Sequence, residues 1–292
     1  MEYYRLIKTN ADFQDFISLK INRLQFIQDY LKKGGADSFI IDIKEKKHIF
    51  VKFPQKQYNP VFRTKTVIAH YDRIPDGEGA NDNSFAVFFL MNWAINLLHK
   101  PLEHNIRLIF TDGEENGTTI KDLGAFDLAS YFKKNQMSES DIFVFDCMGR
   151  GNIPVLCQTS LPTNLSESFK NDFIKLEQRT QKILSSSSDK WITLPTSYSD
   201  NAGFLASGIP AVTITMLPSR EADNYMKLLM KTKSDSISQV YKPEHKEDLK
   251  LLFPLTWFLI NSTKDTKDTL SYEGETVFEK ILDNIVKLKT LV

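Results

Sequence analysis

The sequence predicts an α/β fold of three layers, in which helices cover both faces of a mostly parallel sheet. Short apolar runs rich in β-branched residues, such as TVIAH and DIFVF, alternate along the chain with stretches of helical periodicity. This alternation is typical of strand–helix–strand units. The composition, with 41% apolar and 25% charged residues, is that of a soluble globular protein. No internal repeat or low-complexity linker divides the 292 residues, so we expect one domain over 1–292.

Periodicity and turn residues predict the elements in order. Apolar residues at helical spacing predict a first helix from about Asn10 to Lys33, and SFIIDI and HIFVKF, joined by EKK, predict a hairpin. TVIAH, IRLIFTD and DIFVFD predict strands, and SDNAGFLASGIPAVTIT is predicted to run helix, turn, strand. The polar run at 185–189 predicts a loop, and PEHKEDLKLLFPLTWFLIN predicts a helix that Pro254 kinks or bounds. Further helices are predicted at about 84–98, 123–132, 165–184 and 275–291.

Charge and cysteine content exclude several classes of function. Lysine plus arginine equals aspartate plus glutamate at 37 each, so charge gives no argument for nucleic acid or an anionic membrane as a partner. No apolar run approaches the roughly 20 residues that span a bilayer. Cys147 and Cys157 are too few for a disulfide framework. The start of the chain has no basic-then-apolar leader, so the expected location is cytoplasmic.

Polar residues follow the ends of several predicted strands. In such a sheet, ligands bind outside the carboxyl ends of the strands, so these residues are expected to cluster. Five carboxylates and one imidazole at neighbouring strand ends repel strongly unless a cation neutralises them. Imidazole and carboxylate together suit zinc. The pattern therefore favours a metal site over solvated loops, helix caps and surface charges. The residues are His70, Asp72, Asp82, Glu114, Glu115 and Asp146.

The segments that carry these residues resemble a known family. AHYD, GANDNSFAV, IRLIFTDGEENG, FVFDCMG and SDNAGFLASGIPAV occur in this order, from about residue 65 to 240. They resemble the zinc-dependent aminopeptidases of the leucyl aminopeptidase and aminopeptidase Y type, which have glutaminyl cyclases among their relatives. The resemblance implies an α/β/α sandwich on a mixed, mainly parallel sheet. It also implies a two-zinc site that cleaves N-terminal residues from peptides.

The resemblance assigns metal ligands by position. His70 and Asp146 would bind one zinc ion and Glu115 the other, while Asp82 would bridge both.

The resemblance also implies roles around those ligands. Glu114 would be the general base, and Asp72 would orient the imidazole by accepting its other ring N–H. A cis peptide bond would follow Asp82. The amino terminus of the substrate is expected near Glu115 or Asp200.

The sequence departs from the family at the last metal ligand. The family has a His in a motif such as H-T-x-x-D-T, whereas residues 231–236 read KTKSDS, with Lys231 at the His position. A protonated lysine has no lone pair and cannot bind zinc. We expect Lys231 to take the place of the second metal and pair with Glu115; the alternative is that it faces solvent. His245, the one His further along the chain, is expected at the surface.

The expected function is a metal-dependent hydrolase of the aminopeptidase type, with one zinc ion or two. Glu114 would take a proton from metal-activated water, and Lys231 or the metal would stabilise the oxyanion. The expected partner is a peptide with a free N-terminus. A catalytically impaired binding or scaffold protein is the alternative that the lost ligand favours, whereas the retained Glu114 favours the enzyme. A glutaminyl cyclase-like acyltransferase ranks lower, because the resemblance implies that cyclases use the metal position altered here.

Overall fold

A computed structural model describes residues 7–159, 161, 165–232 and 252–292. The strands in these residues are β1 (Ser38–Ile43), β2 (Lys46–Val51), β3 (Thr64–His70), β4 (Ile106–Thr111), β5 (Ser140–Phe145), β6 (Ile153–Gln158), β7 (Ile192–Pro195) and β8 (Ala211–Leu217). The α-helices are α1 (Ala11–Ile17), α2 (Arg23–Lys33), α3 (Phe85–Leu98), α4 (Gly124–Lys134), α5 (Glu167–Ser187), α6 (Asn201–Ala206), α7 (Ser219–Thr232), α8 (Leu255–Leu259) and α9 (Glu275–Lys287).

The eight described strands form one sheet in the order β1-β2-β4-β3-β5-β8-β6-β7. Four of the seven pairings are parallel, namely β3 with β4, β3 with β5, β5 with β8 and β6 with β7. The other three are antiparallel. The mixed, mainly parallel sheet implied by the resemblance is therefore confirmed.

Helices cover both faces of this sheet and form the two outer layers. Apolar residues of α3, α5 and α9 pack on one face. Residues of α4 and α6 pack on the other face. Successive side chains of a strand point to opposite faces, and so Val67 and Ile68 of β3 belong to different cores. The three-layer α/β/α architecture is confirmed. In the described part of the chain, no helix is both long and apolar enough to cross a bilayer.

The hairpin is confirmed, with a shorter turn than predicted. Lys44 and Glu45 alone connect β1 to β2, and their φ angles are 50° and 69°. Two-residue hairpin turns whose twist matches the strands need positive φ at both positions. Lys46 and Lys47, predicted as turn residues, therefore begin the second strand.

The predicted single N-terminal helix is wrong, because the chain forms two. The side chain of Asn10 accepts a hydrogen bond from Phe13 N at the start of α1. The side chain of Asn22 accepts one from Gln25 N at the start of α2. Asn is among the residues that most favour the N-cap position. Apolar spacing continues across Ser18, so periodicity alone did not reveal the break.

Two further predictions concern helix ends. Helix α5 continues into the predicted polar loop, where Ser187 Oγ donates to Ile183 O at 2.7 Å. Pro254 does mark a boundary, since α8 begins directly after it. The earlier part of that predicted helix, including His245, lies outside the described residues.

Candidate metal centre and active site

The carboxyl ends of three adjacent parallel strands bring the predicted site residues together. His70 is the last residue of β3, which lies between β4 and β5 in the sheet. His70 Nε2 lies 3.1 Å from Asp82 Oδ1 and 3.6 Å from Asp146 Oδ1. Asp146 directly follows β5, and Asp82 belongs to the loop that connects β3 to α3. The predicted clustering is therefore observed.

The described residues form two groups that could hold a metal ion. One is His70, Asp82 and Asp146, and the other is His70, Glu114 and Glu115. In each group the ligand atoms lie within 4.8 Å of one another. No group in the described part of the chain joins Asp82 to Glu115 with a third ligand. The first position implied by the resemblance is thus complete, whereas the second lacks a partner among these residues.

The environment of the imidazole fits a cation. His70 is fully buried, and neither ring nitrogen forms a hydrogen bond with a described residue. Its Nε2 lies close to two carboxylates, Asp82 and Asp146, but the geometry is not that of well-aligned hydrogen bonds. Buried polar atoms are normally paired, and an orphaned imidazole among carboxylates is explained by a bound ion.

The acidic groups around this centre are crowded. Burial and, next, the charge of nearby Asp82 raise the pKa of Glu115 to about 9. Burial also raises the pKa of Glu114 well above its usual value, with Asp146 and Asp82 adding to the rise. For Asp82 the same two causes, burial and the charge of Asp146, raise the pKa. Such crowding opposes a fully ionised state, and a cation at this position would relieve it.

Asp72 lies where it can orient the imidazole. Its Oδ1 is 3.5 Å from His70 Nδ1. Its Oδ2 accepts a hydrogen bond from the backbone N–H of Glu115 at 2.9 Å. One carboxylate therefore contacts the imidazole and also fixes the backbone of the adjacent glutamates.

The loop that carries Asp82 is held from within the fold. The peptide bond between Asp82 and Asn83 is cis, which confirms the implication of the resemblance. The Asn83 side chain donates to Phe145 O at 2.8 Å, at the end of β5. The Asn81 side chain accepts a hydrogen bond from Gly149 N at 2.7 Å. These amide side chains connect the loop to the strand end that carries the other aspartate.

Asp265 holds the same loop from the C-terminal part of the chain. Its carboxylate accepts hydrogen bonds from Asn81 N at 2.9 Å and from Asp82 N at 2.9 Å. Its side chain is 1% exposed, and burial raises its pKa to about 6. Sequence analysis did not identify this residue, since it lies 183 positions from Asp82 and in no recognisable motif.

Arg23 holds the other side of the loop, and sequence analysis missed it as well. Its guanidinium donates to Tyr71 O at 2.9 Å, to Glu78 O at 2.7 Å and to Ser84 Oγ at 2.5 Å. The residue is 6% exposed, at the start of α2. A buried cation thus binds carbonyl groups of the loop while a buried carboxylate binds its amide groups.

Asp200 lies beside the cluster, whereas Lys231 is exposed. Asp200 is fully buried at the start of α6, where it accepts a hydrogen bond from Thr111 Oγ1 at 2.5 Å. Its charge is one of the causes that raise the pKa of Glu114, so it lies near the pair of glutamates. Lys231 is exposed in the last turn of α7, and the described residues contain no ion pair between it and Glu115. The alternative of a solvent-facing lysine agrees with this position; Asp235 and Ser236 lie outside the described residues.

A cleft opens directly beside the cluster. Asp82, Glu114 and Asp146 form one wall. The rest is formed by residues of β6, β8 and α8, by the loop before α6, and by residues that follow β5 and α8, namely Cys147, Cys157, Thr196, Ser197, Tyr198, Ser199, Thr213, Thr215, Trp257, Ile260 and Asn261. Tyr198 is 52% exposed, and so it lies at the rim. The cleft gives a ligand direct access to the carboxylates.

Solved structures with the same fold include two aminopeptidases and a cyclase. LapA of Legionella pneumophila has 15% identity and a TM-score of 0.59, with 94% of this chain and 70% of that chain covered. The zinc aminopeptidase of Bacillus subtilis has 17% identity and a TM-score of 0.52, with 82% and 49% covered. The glutaminyl cyclase of Porphyromonas gingivalis has 13% identity and a TM-score of 0.64, with 95% of both chains covered. At these identities the likeness shows the fold alone.

The sequence also matches a family profile over most of its length. A comparison with curated proteins found no match, and the chain spans only about half the length of the Bacillus enzyme. The profile of peptidase family M28, in contrast, matches residues 49–251. This range contains all three strand ends and every residue of the two possible ligand groups. Because the match covers well over half of the 292 residues, this chain belongs to peptidase family M28.

Proposed function

We propose that this chain is a metal-dependent hydrolase of the aminopeptidase type, which removes N-terminal residues from peptides. The observation that carries the proposal is the His70, Asp82 and Asp146 group, with Glu114 beside it in an open cleft. Membership of a peptidase family makes a peptide the substrate class. The same membership favours hydrolysis over a binding or scaffold role.

One zinc ion is the proposed cofactor, held by His70, Asp82 and Asp146. When bound, zinc supplies the Lewis acidity that activates water and polarises the scissile carbonyl group. A single ion is proposed because Glu115 and Asp82 share no third ligand in the described residues. Glu115 is then available to bind the positive amino terminus of the substrate, and Asp200, whose charge acts on the neighbouring Glu114, is the alternative for this role.

The chain's own residues supply the proton transfers. Glu114 lines the cleft beside the ligand group, so its carboxylate is placed to take a proton from the attacking water and return it to the leaving amine. Asp72 keeps the imidazole of His70 in one orientation and fixes the backbone next to Glu114 through Glu115 N.

The test of this function is Glu114→Gln. Glutamine keeps the size of the side chain but cannot accept a proton, so kcat/KM on amino-acid anilides should fall by about 10²–10⁴-fold. Zinc content, measured by elemental analysis, and the melting temperature should stay close to wild type. Equal turnover by both proteins would refute the role of Glu114. If wild type contains no bound zinc after zinc has been added, the proposed hydrolase function is refuted.

A matched pair of aspartate variants tests the metal position. Asp146→Asn removes a proposed ligand and should weaken zinc binding by more than about 100-fold. Mutation of residues that only hydrogen-bond to a ligand weakens metal binding by up to about 100-fold, and loss of a ligand itself should cost more. Asp112→Asn is the control, because Asp112 lies at the same sheet edge but belongs to neither group and accepts Lys47 N at 2.9 Å. Calorimetric titration with zinc measures both. Equal affinity in the two variants would remove Asp146 from the site.

A glutaminyl cyclase-like acyltransferase is the second candidate. The Porphyromonas cyclase matches this fold from end to end, with 95% of both chains covered. This likeness concerns the fold, so the activity ranks below peptide hydrolysis. Release of ammonia from a peptide with N-terminal glutamine, without release of the first residue, would favour the cyclase.

A further inference from the structure

The cleft beside the carboxylates has a second wall whose chemistry differs from the first. The wall formed by Asp82, Glu114 and Asp146 faces the proposed position of the scissile carbonyl. The inference below rests on that proposed function. If the scissile carbonyl lies at the acidic wall, the side chain of the first substrate residue lies against the rest of the cleft lining. This part carries several hydroxyl groups, and we call it the hydroxyl wall.

Strand β8 contributes two of those hydroxyl groups. Thr213 and Thr215 are alternate residues of the strand and therefore point to the same face of the sheet. Their neighbour in the sheet is β5, whose end carries Asp146. Both threonines are buried, with 3% and 4% of their surface exposed, and both line the cleft.

The two threonine hydroxyls differ in their hydrogen bonds. Thr215 Oγ1 donates to Cys147 O at 3.2 Å, so its hydroxyl serves the fold. Thr213 Oγ1 is buried and has no hydrogen-bond partner among the described residues. A buried hydroxyl without a partner destabilises the protein, and valine has the same shape without that cost. No contact within the described residues therefore explains the hydroxyl of Thr213.

Ser199 places another hydroxyl in the cleft. It is 2% exposed and precedes helix α6. Its Oγ forms no well-aligned hydrogen bond with a described residue, but it lies close enough to Asp146 to lower the pKa of that carboxyl. Thr213 therefore supplies the hydroxyl that remains for a ligand, which can hydrogen-bond a polar group and is left unsatisfied by an aliphatic one.

We propose that this hydroxyl wall selects substrates whose first side chain is uncharged and polar, a hydroxyl or a carboxamide, and that Thr213 determines this preference. A hydroxyl both donates and accepts, so either group can pair with it. Acidic side chains are disfavoured because three carboxylates also line the cleft. Aliphatic side chains leave the hydroxyl of Thr213 unpaired.

Isosteric substrate pairs test the proposal on the zinc-loaded full chain. Anilides of asparagine and leucine have side chains of similar shape, as do those of threonine and valine. Wild type should favour the polar member of each pair by about tenfold in kcat/KM, the scale of one or two hydrogen bonds. Thr213→Val should reduce that ratio at least about fivefold without lowering the melting temperature, because Thr213 Oγ1 has no hydrogen-bond partner among the described residues.

Thr215→Val is the matched control, two residues further along the strand on the same face. It removes the hydroxyl that donates to Cys147 O, so it should lower the melting temperature and leave the polar-to-aliphatic ratio within about twofold of wild type. A ratio near one in wild type would overturn the proposal. An unchanged ratio in Thr213→Val would overturn it as well.

A binding experiment separates this inference from the proposed function. Asparagine amide and leucine amide are titrated calorimetrically into wild type and Thr213→Val, which requires no turnover. If wild type binds asparagine amide more tightly than leucine amide and Thr213→Val does not, the hydroxyl wall is supported. Should the same wild type cleave no anilide, only the proposed hydrolase function is refuted. Equal binding of the two amides, in a wild type that cleaves anilides, refutes the wall and leaves the hydrolase standing.

Discussion

His70 is the residue shared by both possible ligand groups, and its two ring nitrogens face different neighbours. Nε2 faces Asp82 and Asp146, whereas Nδ1 faces Asp72. An imidazole that binds a metal through one nitrogen commonly contacts a carboxylate through the other. The arrangement therefore sets which nitrogen is directed to the metal position and which to the supporting aspartate.

Asp265 is expected to act on the metal centre through the backbone of Asp82. Asp265→Asn replaces one acceptor oxygen with a donor that faces the N–H groups of the loop, so zinc affinity should fall by about 10–100-fold. Calorimetric titration with zinc measures the change. The control is Asp268→Asn, an exposed carboxylate three residues later, which should leave the affinity unchanged. Equal affinities in the two variants would show that the loop does not depend on Asp265.

Lys231 provides a test of metal stoichiometry. Lys231→His restores the family's ligand in sequence, but the residue is exposed in the last turn of α7 and forms no described ion pair with Glu115. We expect one zinc ion per chain in wild type and in the variant, measured by elemental analysis. Lys227→His, exposed one turn earlier on the same helix, is the control. A second ion bound only by Lys231→His would show that this position reaches the site.

At the scale of elements, the close approach of α4 and α6 sets the position of Asp200. A Cβ added at Gly203 of α6 would lie 2.4 Å from Phe126 N and 2.7 Å from Ala125 C, both in α4. Real Cβ atoms do not approach backbone this closely, so one helix would have to move. The glycine therefore allows α6 to place the buried aspartate next to Thr111.

Gly203→Ala should for this reason destabilise the protein, although alanine is the better helix former by about 1 kcal/mol. We expect the free energy of unfolding to fall by about 1–3 kcal/mol, the range for an overpacked contact. Denaturant titration measures it. Ala206→Ser, at an exposed position of the same helix, should change stability by less than about 0.5 kcal/mol. A stabilised Gly203→Ala would contradict the close contact.

At the scale of the whole molecule, a buried lysine connects the central strand β3 to the last helix. Lys65 is 2% exposed, and its Nζ donates to Leu288 O at 2.7 Å and to Val286 O at 3.3 Å. Burial lowers its pKa from 10.5 to about 8, against the opposing effect of Asp141. The folded chain therefore binds fewer protons at this position than the unfolded chain between these two pH values.

Stability should consequently rise with pH in that window. Relative to Lys65→Met, which has no titrating group there, wild type should gain about 2 kcal/mol of unfolding free energy between pH 8 and pH 10. Denaturant titration at several pH values measures the difference. Lys56→Met, at an exposed position, is the control and should follow wild type. A constant difference between wild type and Lys65→Met would refute the lowered pKa.

The sequence by itself determined the class of fold and most of the residues of the candidate site. Alternating strands and helices specified a layered α/β chain, and ligands in such a chain gather at the carboxyl ends of the strands. His70 and Asp146 were found for this reason, since His70 ends β3 and Asp146 directly follows β5, and Asp82 lies in the loop that leaves β3.

The tertiary structure alone decided how that site is supported and what adjoins it. Arg23 and Asp265 contact the loop that carries Asp82 from positions 48 to 184 residues away, and such contacts leave no local pattern in a sequence. The same holds for the hydroxyl of Thr213, which has no partner among the described residues, because only the folded chain shows how buried groups are paired. Periodicity and spacing in a sequence indicate which residues lie near each other within one helix or strand. The burial of a side chain and its hydrogen-bond partners depend on elements that come together only in the folded protein.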